Sequence, residues 1–259
     1  MTKKQGHALV TGASGGIGLE LARELAANGF DLVLVARRRD KLQELADRIA
    51  AEHGVAAKVI AADLAEPSAP QAVFDAVAEA GLRIDVLVNN AGLLLEGRFG
   101  ELPVEDEVRL VQVNVVALTA LTRLFLGPML ERGEGRILNV ASVAAFSPLP
   151  DFAIYAASKS YVLSFGDALH QELRSTKVTV TTLCPGATET ALIEGTSLSK
   201  MPSAMIMDAR TVAREGYRAL MAGKAVHVPG MANEIATQWM KYQPTWLRHA
   251  FTSAFLRRP

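Results

Sequence analysis

The chain has 259 residues, half of them hydrophobic, enough to bury one large α/β core. Basic and acidic side chains number 27 each, so no global positive field draws the chain onto nucleic acid, which is excluded as an expected partner. Cys184 is the only cysteine; an intrachain disulfide framework is ruled out, and a reducing, cytoplasmic setting is the expectation.

The opening "MTKKQGHALVTG" has a basic start but too short an apolar run for a signal peptide, and no uninterrupted apolar stretch of roughly eighteen residues suggests a membrane span. "HALVT" (7–11) reads as the first strand and "LELARELAANG" as the helix after it. The turn between them, "VTGASGGIGLE" (10–20), spaces Thr11, Gly12, Gly16 and Gly18 as T-G-x-x-x-G-x-G. At a strand-to-helix turn such glycines let a pyrophosphate approach the backbone amides.

The second strand, "DLVLVAR" (31–37), leads into "VARRRD". Ala36 stands where an NAD-selecting carboxylate is expected, and Arg37 and Arg38 follow, so the cofactor expected here is NADP(H) in preference to NAD(H). Strand and helix then alternate through "KLQELADRIAAEHG", "AKVIAADL" (57–64), "APQAVFDAVAEAG" and "IDVLVNN" (84–90). A long helix from about Val104 to Leu130, "GRILNVAS" (135–142), the helix carrying Tyr155, and "KVTVTTLCPG" (177–186) complete the series. Gly29 and Gly54 close two of the helices. Strands such as "LVLV", apolar without alternation, are those of a sheet covered on both faces. The expected architecture is therefore one Rossmann-type doubly wound parallel sheet in a single domain over 1–259, without internal repeat or linker.

Four residues stand out within this frame. "YAASK" sets Tyr155 and Lys159 one helical turn apart on one face. A lysine about 4 Å from a phenol, at an effective dielectric of about 20, favours the phenolate by roughly 4 kcal/mol and carries its pKa toward neutrality. Ser142 ends a strand, at the sheet edge where ligands collect, although a serine there also caps turns. Asn114 interrupts the apolar "LVQVNVVALTALTRLF", where a buried amide needs partners.

Together "TGASGGIG", "NNAG", Asn114, Ser142, "YAASK" and "PGATET" resemble the short-chain dehydrogenase/reductase family over about residues 6–190. "LNVASVAAF" and "VHVPG" further resemble a bacterial subgroup of broad oxidoreductases. The resemblance implies a catalytic group of Asn114, Ser142, Tyr155 and Lys159, with Asn114 holding a water that joins the lysine to solvent. It implies cofactor contacts from Gly12, Ser14, Gly16, Ile17, Asp63, Asn90 and Thr188, besides Tyr155 and Lys159; no metal is expected. The reaction implied is hydride transfer between NADP(H) and a carbinol carbon, with Tyr155 as acid/base.

Residues 187–210, "ALIEGTSLSKMPSAMIMDAR" with its flanks, read as a substrate lid. Leu192, Ile193, Met201, Met205, Ile206 and Met207 suit a hydrophobic ketone, secondary alcohol or acyl chain. The tail, about 235–259, joins Trp239, Trp246, Leu247, Phe251 and Phe255 to Lys241, Arg248, Arg257 and Arg258. It suits packing on its own domain or another subunit of a homodimer or homotetramer, or a peripheral contact with an anionic membrane. Two other functions fit the same fold: a non-catalytic NADP(H)-sensing regulator, against which the intact Ser142, Tyr155 and Lys159 weigh, and a peripheral membrane protein.

Overall fold

A computed structural model describes residues 5–243. Six of its strands fall where apolar runs predict them: β1 (Gly6–Thr11), β2 (Phe30–Ala36), β3 (Ala57–Ala61), β4 (Ile84–Asn89), β5 (Gly135–Val140) and β6 (Val178–Leu183). A seventh, β7 (Val226–His227), lies inside "VHVPG"; at two residues it is too short to show a period. All pair in parallel in the order β3-β2-β1-β4-β5-β6-β7. The order reverses between β1 and β4, and a crevice opens at the carboxyl ends of those two strands.

Successive side chains of a strand enter different cores. Leu32 and Leu34 pack on one face with Leu21 and Leu25 of α1 (Gly16–Ala27), Leu42 and Ile49 of α2 (Arg39–His53), and Val212 and Leu220 of α7 (Ala209–Met221). Val33 and Val35 pack on the other face with Val73 and Val77 of α3 (Ala69–Glu79) and Leu121 and Phe125 of α5 (Leu118–Arg132). This two-sided burial is why the strands lack polar alternation.

The long helix predicted from Val104 is three pieces end to end: α4 (Val104–Val111), a π turn (Gln112–Ala117) and α5. The run Val104–Arg132 is long and apolar enough to cross a membrane, but its apolar α5 face packs on the sheet, as a core helix does. After β5 come a short 3-10 turn (Val143–Phe146) and α6 (Ala153–Glu172), which carries Tyr155 and Lys159. The last helix, α8 (Met231–Tyr242), includes the start of the predicted tail; the rest of that tail, with Trp246, Leu247, Arg248, Phe251, Phe255, Arg257 and Arg258, lies outside the described residues.

Candidate active site

The crevice is built from the glycine turn upward. Gly12 (φ 67°) and Gly16 (φ 56°) take left-handed conformations that favour glycine. A β-carbon on Gly18 would stand 2.4 Å from the Gly12 carbonyl oxygen, so the first turn of α1 closes onto the loop at backbone distance. Gly18→Ala is expected to cost about 1–3 kcal/mol in urea unfolding through overpacking, and to weaken dinucleotide binding in a fluorescence titration.

Thr11 and Asn90 fasten this turn to β4. The Thr11 hydroxyl donates to the Val88 carbonyl (3.2 Å) and accepts from the Asn90 and Ala91 amides (3.0 Å each). The Asn90 side chain donates to the Thr11 carbonyl at 2.9 Å. Asn89 is fully internal, donating to Thr122 Oγ1 and Asn139 Oδ1 at 2.9 Å each. The two asparagines of "NNAG" thus have different structural duties: Asn89 ties the core, and Asn90 braces the crevice wall.

One cleft gathers Gly12, Ser14, Gly16, Ile17, Arg37, Arg38, Asp63 and Asn90, the greater part of the predicted cofactor set. Arg38 crosses from the end of β2 to the glycine turn, where its guanidinium donates to the Ser14 carbonyl and hydroxyl oxygens at 3.2 Å. Asp63 is clamped from the opposite rim by Arg109 of α4. Burial pushes the Asp63 carboxyl up, but the Ala65 amide, Arg109 and Arg37 outweigh it and hold its pKa below the ordinary value. The residues fit a phosphorylated dinucleotide: two left-handed glycines at a helix N-terminus and exposed guanidinium groups where the second strand ends.

Thr188, like Tyr155 and Lys159, lies outside the lining of this cleft; its hydroxyl turns back onto the Gly186 carbonyl at 2.9 Å, and its backbone bridges Met207. Thr190, two residues on, lines the cleft instead, with its side chain against Gly16.

Ser142, Tyr155, Lys159 and Asn114 converge beyond the end of β5. Ser142 is extended and caps the following turn by accepting the Ala144 amide at 3.1 Å, so it serves as a cap as well as facing the Tyr155 phenol. Tyr155 is 8% exposed. Asn114 sits in the π turn, where the widened helix lets its amide span two elements. It exchanges two hydrogen bonds with the Leu93 backbone (2.8 and 2.9 Å) and donates to Ser158 Oγ at 3.0 Å. A β-carbon on Gly92 would meet both Asn114 Oδ1 and Lys159 Nζ at 3.4 Å, so both groups close on this glycine.

The expected pairing of lysine with phenol is corrected. Lys159 Nζ donates to the Val140 carbonyl at 2.9 Å and stands 5.8 Å from the centroid of the Tyr155 ring. Burial lowers the Lys159 pKa to about 8, while burial raises that of Tyr155 despite the opposing effect of the Ser142 hydroxyl. Adjacency on a helix face does not by itself lower the phenol's pKa, because burying both groups disfavours their charged forms. Cys184, at the end of β6, belongs to the same layer: burial pushes its thiol up to about 12, against the opposing pull of Lys159 and a bond from the Ser142 backbone.

Around Tyr155 the walls are apolar. Leu110, Ala144, Phe152 and Ala156 are buried with it, and Leu93, Leu94, Leu95, Leu149 and Leu198 pack against this cluster. The predicted lid reaches the wall through Leu198, and the Ser197 amide donates to Glu96 Oε2 at 2.6 Å. Ile193 is buried within the lid, whereas Leu192 and Met205 are exposed.

The family model for short chain dehydrogenases matches residues 6–200. The chain belongs to the short-chain dehydrogenase family. A very-long-chain 3-oxoacyl-CoA reductase of Rattus norvegicus is 34% identical over 245 residues, covering 91% of this chain and 77% of the relative. A short-chain dehydrogenase from Sphingobium yanoikuyae, solved in complex with NADPH, is 32% identical with a TM-score of 0.83, covering 98% of this chain and 96% of the other. A structure described for 7beta-hydroxysteroid dehydrogenase stereoselectivity has a TM-score of 0.87 at 26% identity, covering 97% and 98%.

In this short-chain dehydrogenase, sequence reading missed Arg109, Thr190 and the Leu93–Leu95 wall. Arg109 had no sequence signal, because its partner Asp63 is 46 positions away. Thr190 stood inside the quoted "PGATET", and the consecutive leucines after "NNAG" were visible as an apolar run in a segment where ligands collect.

Proposed function

We propose that this chain is a reductase of hydrophobic carbonyl compounds, bulky ketones or 3-oxoacyl groups, using NADP(H) in preference to NAD(H). The observation that carries this reading is the buried Tyr155 phenol facing Ser142 inside a leucine-rich wall, beside a cleft edged by Arg37 and Arg38. The names of the relatives support it, since they act on long acyl chains and a steroid, and one binds NADPH.

When bound, NADP(H) supplies the hydride. Gly12, Ser14, Gly16, Ile17, Asp63 and Asn90 would hold the dinucleotide, and Thr188 would act through the loop it fastens. Ser142 orients the substrate oxygen, and Tyr155 gives it a proton in reduction and takes one in oxidation. The positive charge of Lys159 favours the transient phenolate, and Asn114 holds the loop at Gly92 and Leu93 that fixes the lysine's surroundings. Burial of the phenol and of the ammonium excludes water from the proton transfer.

The catalytic unit is a single domain over 1–259, with residues 187–210 as substrate cover, in a cytoplasmic homodimer or homotetramer. The exposed Val104, Val108 and Val111 of α4, with Val116 and Tyr161, form the face offered to a second copy.

The test is oxidation of NADPH and NADH over a panel of aliphatic, aromatic, steroid and 3-oxoacyl carbonyls. Turnover is expected with the bulky members and NADPH; tight NADPH binding with no reaction in either direction sinks the reductase reading. In the same assay Arg38→Ala is expected to lower kcat/KM for NADPH by about 10-fold or more and to spare NADH, because an Arg–phosphate pair is a charge-assisted bond. An equal loss with both cofactors refutes the assignment of Arg38.

A further inference from the structure

We infer that Arg109 is a positioning residue, whose bond to Asp63 carries occupancy of the dinucleotide cleft into the substrate wall and Asn114. The inference rests on the NADP(H) reading above. Arg109 of α4 and Val113 of the π turn line the cleft, whereas Leu110 and Asn114, the residue after each, belong to the catalytic layer. Leu110 is buried with Tyr155 and Phe152, and Asn114 holds the Leu93 backbone and Ser158 Oγ. One short helix and its π turn therefore touch the cofactor side and the substrate side together.

Asp63 lies two residues past the end of β3, where its Oδ1 accepts the Ala65 amide at 3.0 Å. Its Oδ2 accepts from the Arg109 guanidinium, and this bond joins the sheet edge to α4. The helix is otherwise lightly held. Of its eight residues Glu107 and Leu110 are buried, Pro103 gives its start no side-chain cap, and the π turn at its end interrupts the regular helical bonding. The Arg109 and Asp63 side chains are 39% and 31% exposed, so water screens their attraction while the cleft is open. A dinucleotide that displaces this water lowers the local dielectric and strengthens the attraction, which draws α4 toward the sheet. Arg109 and Arg37 both favour the ionised Asp63 carboxyl, so the tie persists at neutral pH. By linkage, a wall closed on substrate holds the cofactor more tightly in return.

The experiment adds adenosine 2′,5′-bisphosphate, which fills the adenosine side without a nicotinamide, and follows amide hydrogen exchange of the full chain by mass spectrometry. It needs no carbonyl substrate. In the parent protein the bisphosphate is expected to slow exchange at the glycine turn and, by about fivefold or more, at Leu94, Leu95 and Leu110, which do not line the cleft. In Arg109→Gln at saturating bisphosphate the glycine turn is expected to slow as before, while Leu94, Leu95 and Leu110 do not. The thermal midpoint of the free variant is expected to match the parent's, since a partly exposed pair adds little stability. Asp63→Asn is expected to act alike, and the double variant to lose no more than either single, because all three remove one tie. Undiminished slowing at Leu94, Leu95 and Leu110 in Arg109→Gln overturns the inference, as does a parent protein that binds the bisphosphate without slowing them; both results leave the cofactor reading standing. Loss of all bisphosphate binding in Arg109→Gln makes the arginine a ligand contact and overturns its positioning role. No binding by the parent protein overturns the NADP(H) reading, and this inference with it.

Discussion

Tyr155→Phe is expected to lower kcat by about 10²–10⁴-fold, the range over which a positioned acid/base acts, and to leave the NADPH dissociation constant nearly unchanged. The phenol is buried and faces Ser142, so on the function proposed above its loss removes the proton donor and a polar neighbour of the serine hydroxyl. The stability cost is modest, about 0.5–1.5 kcal/mol, because a phenylalanine ring fills the same apolar cluster of Leu110, Phe152 and Ala156. Stopped-flow reduction of a ketone found active in the panel, with a parallel fluorescence titration of NADPH, separates chemistry from binding. Turnover within a few-fold of the parent protein would refute the assignment of Tyr155.

Lys159→Met is expected to abolish turnover to a similar degree while making the folded protein more resistant to heat. Burial has lowered the pKa of this lysine to about 8 from an ordinary 10.5, so near neutrality the ammonium is held at a cost that a thioether of similar length does not bear. The Val140 carbonyl loses its donor in exchange, which offsets part of the gain. The pH dependence has a definite sign. Above about pH 8 the folded state sheds the lysine's proton while the unfolded chain keeps it, so stability rises with pH. Above about pH 9 Cys184 acts in the opposite direction, since its folded thiol, pushed up to about 12, stays protonated when the unfolded one ionises. The raised phenol of Tyr155 adds to that loss at still higher pH. Between about pH 8 and 9 the parent protein should therefore gain up to about 1 kcal/mol, and Lys159→Met should show no such gain in urea titrations.

Six strands and the helices flanking them were legible because apolar runs and glycine stops are local signals. The alternation of strand and helix predicted a doubly wound parallel sheet, whereas the strand order with its switch point between β1 and β4 was not read from it. The π turn at Gln112–Ala117 was not legible, since a helix widened by one residue keeps the same apolar pattern on either side; only the misplaced Asn114 marked it. The site was legible where residues stand close in sequence, as in "TGASGGIG" and "YAASK", and where a charge stands out, as at Arg37 and Arg38. It was not legible where function depends on burial. Burial governs the titration of Tyr155 and Lys159, and Cys184, which the sequence offered only as a redox marker, acts on the lysine.

The latch between Ser197 and Glu96 joins the lid to the loop after β4 through a backbone amide and a single carboxylate. On the proposed reading of 187–210 as substrate cover, release of this charge-assisted hydrogen bond together with the Leu198 contact would set how soon product escapes and the next substrate enters. The cadence of such an enzyme is then set by motion through solvent: added glycerol or sucrose would slow kcat in proportion to viscosity, with no comparable slowing of a single turnover measured before release.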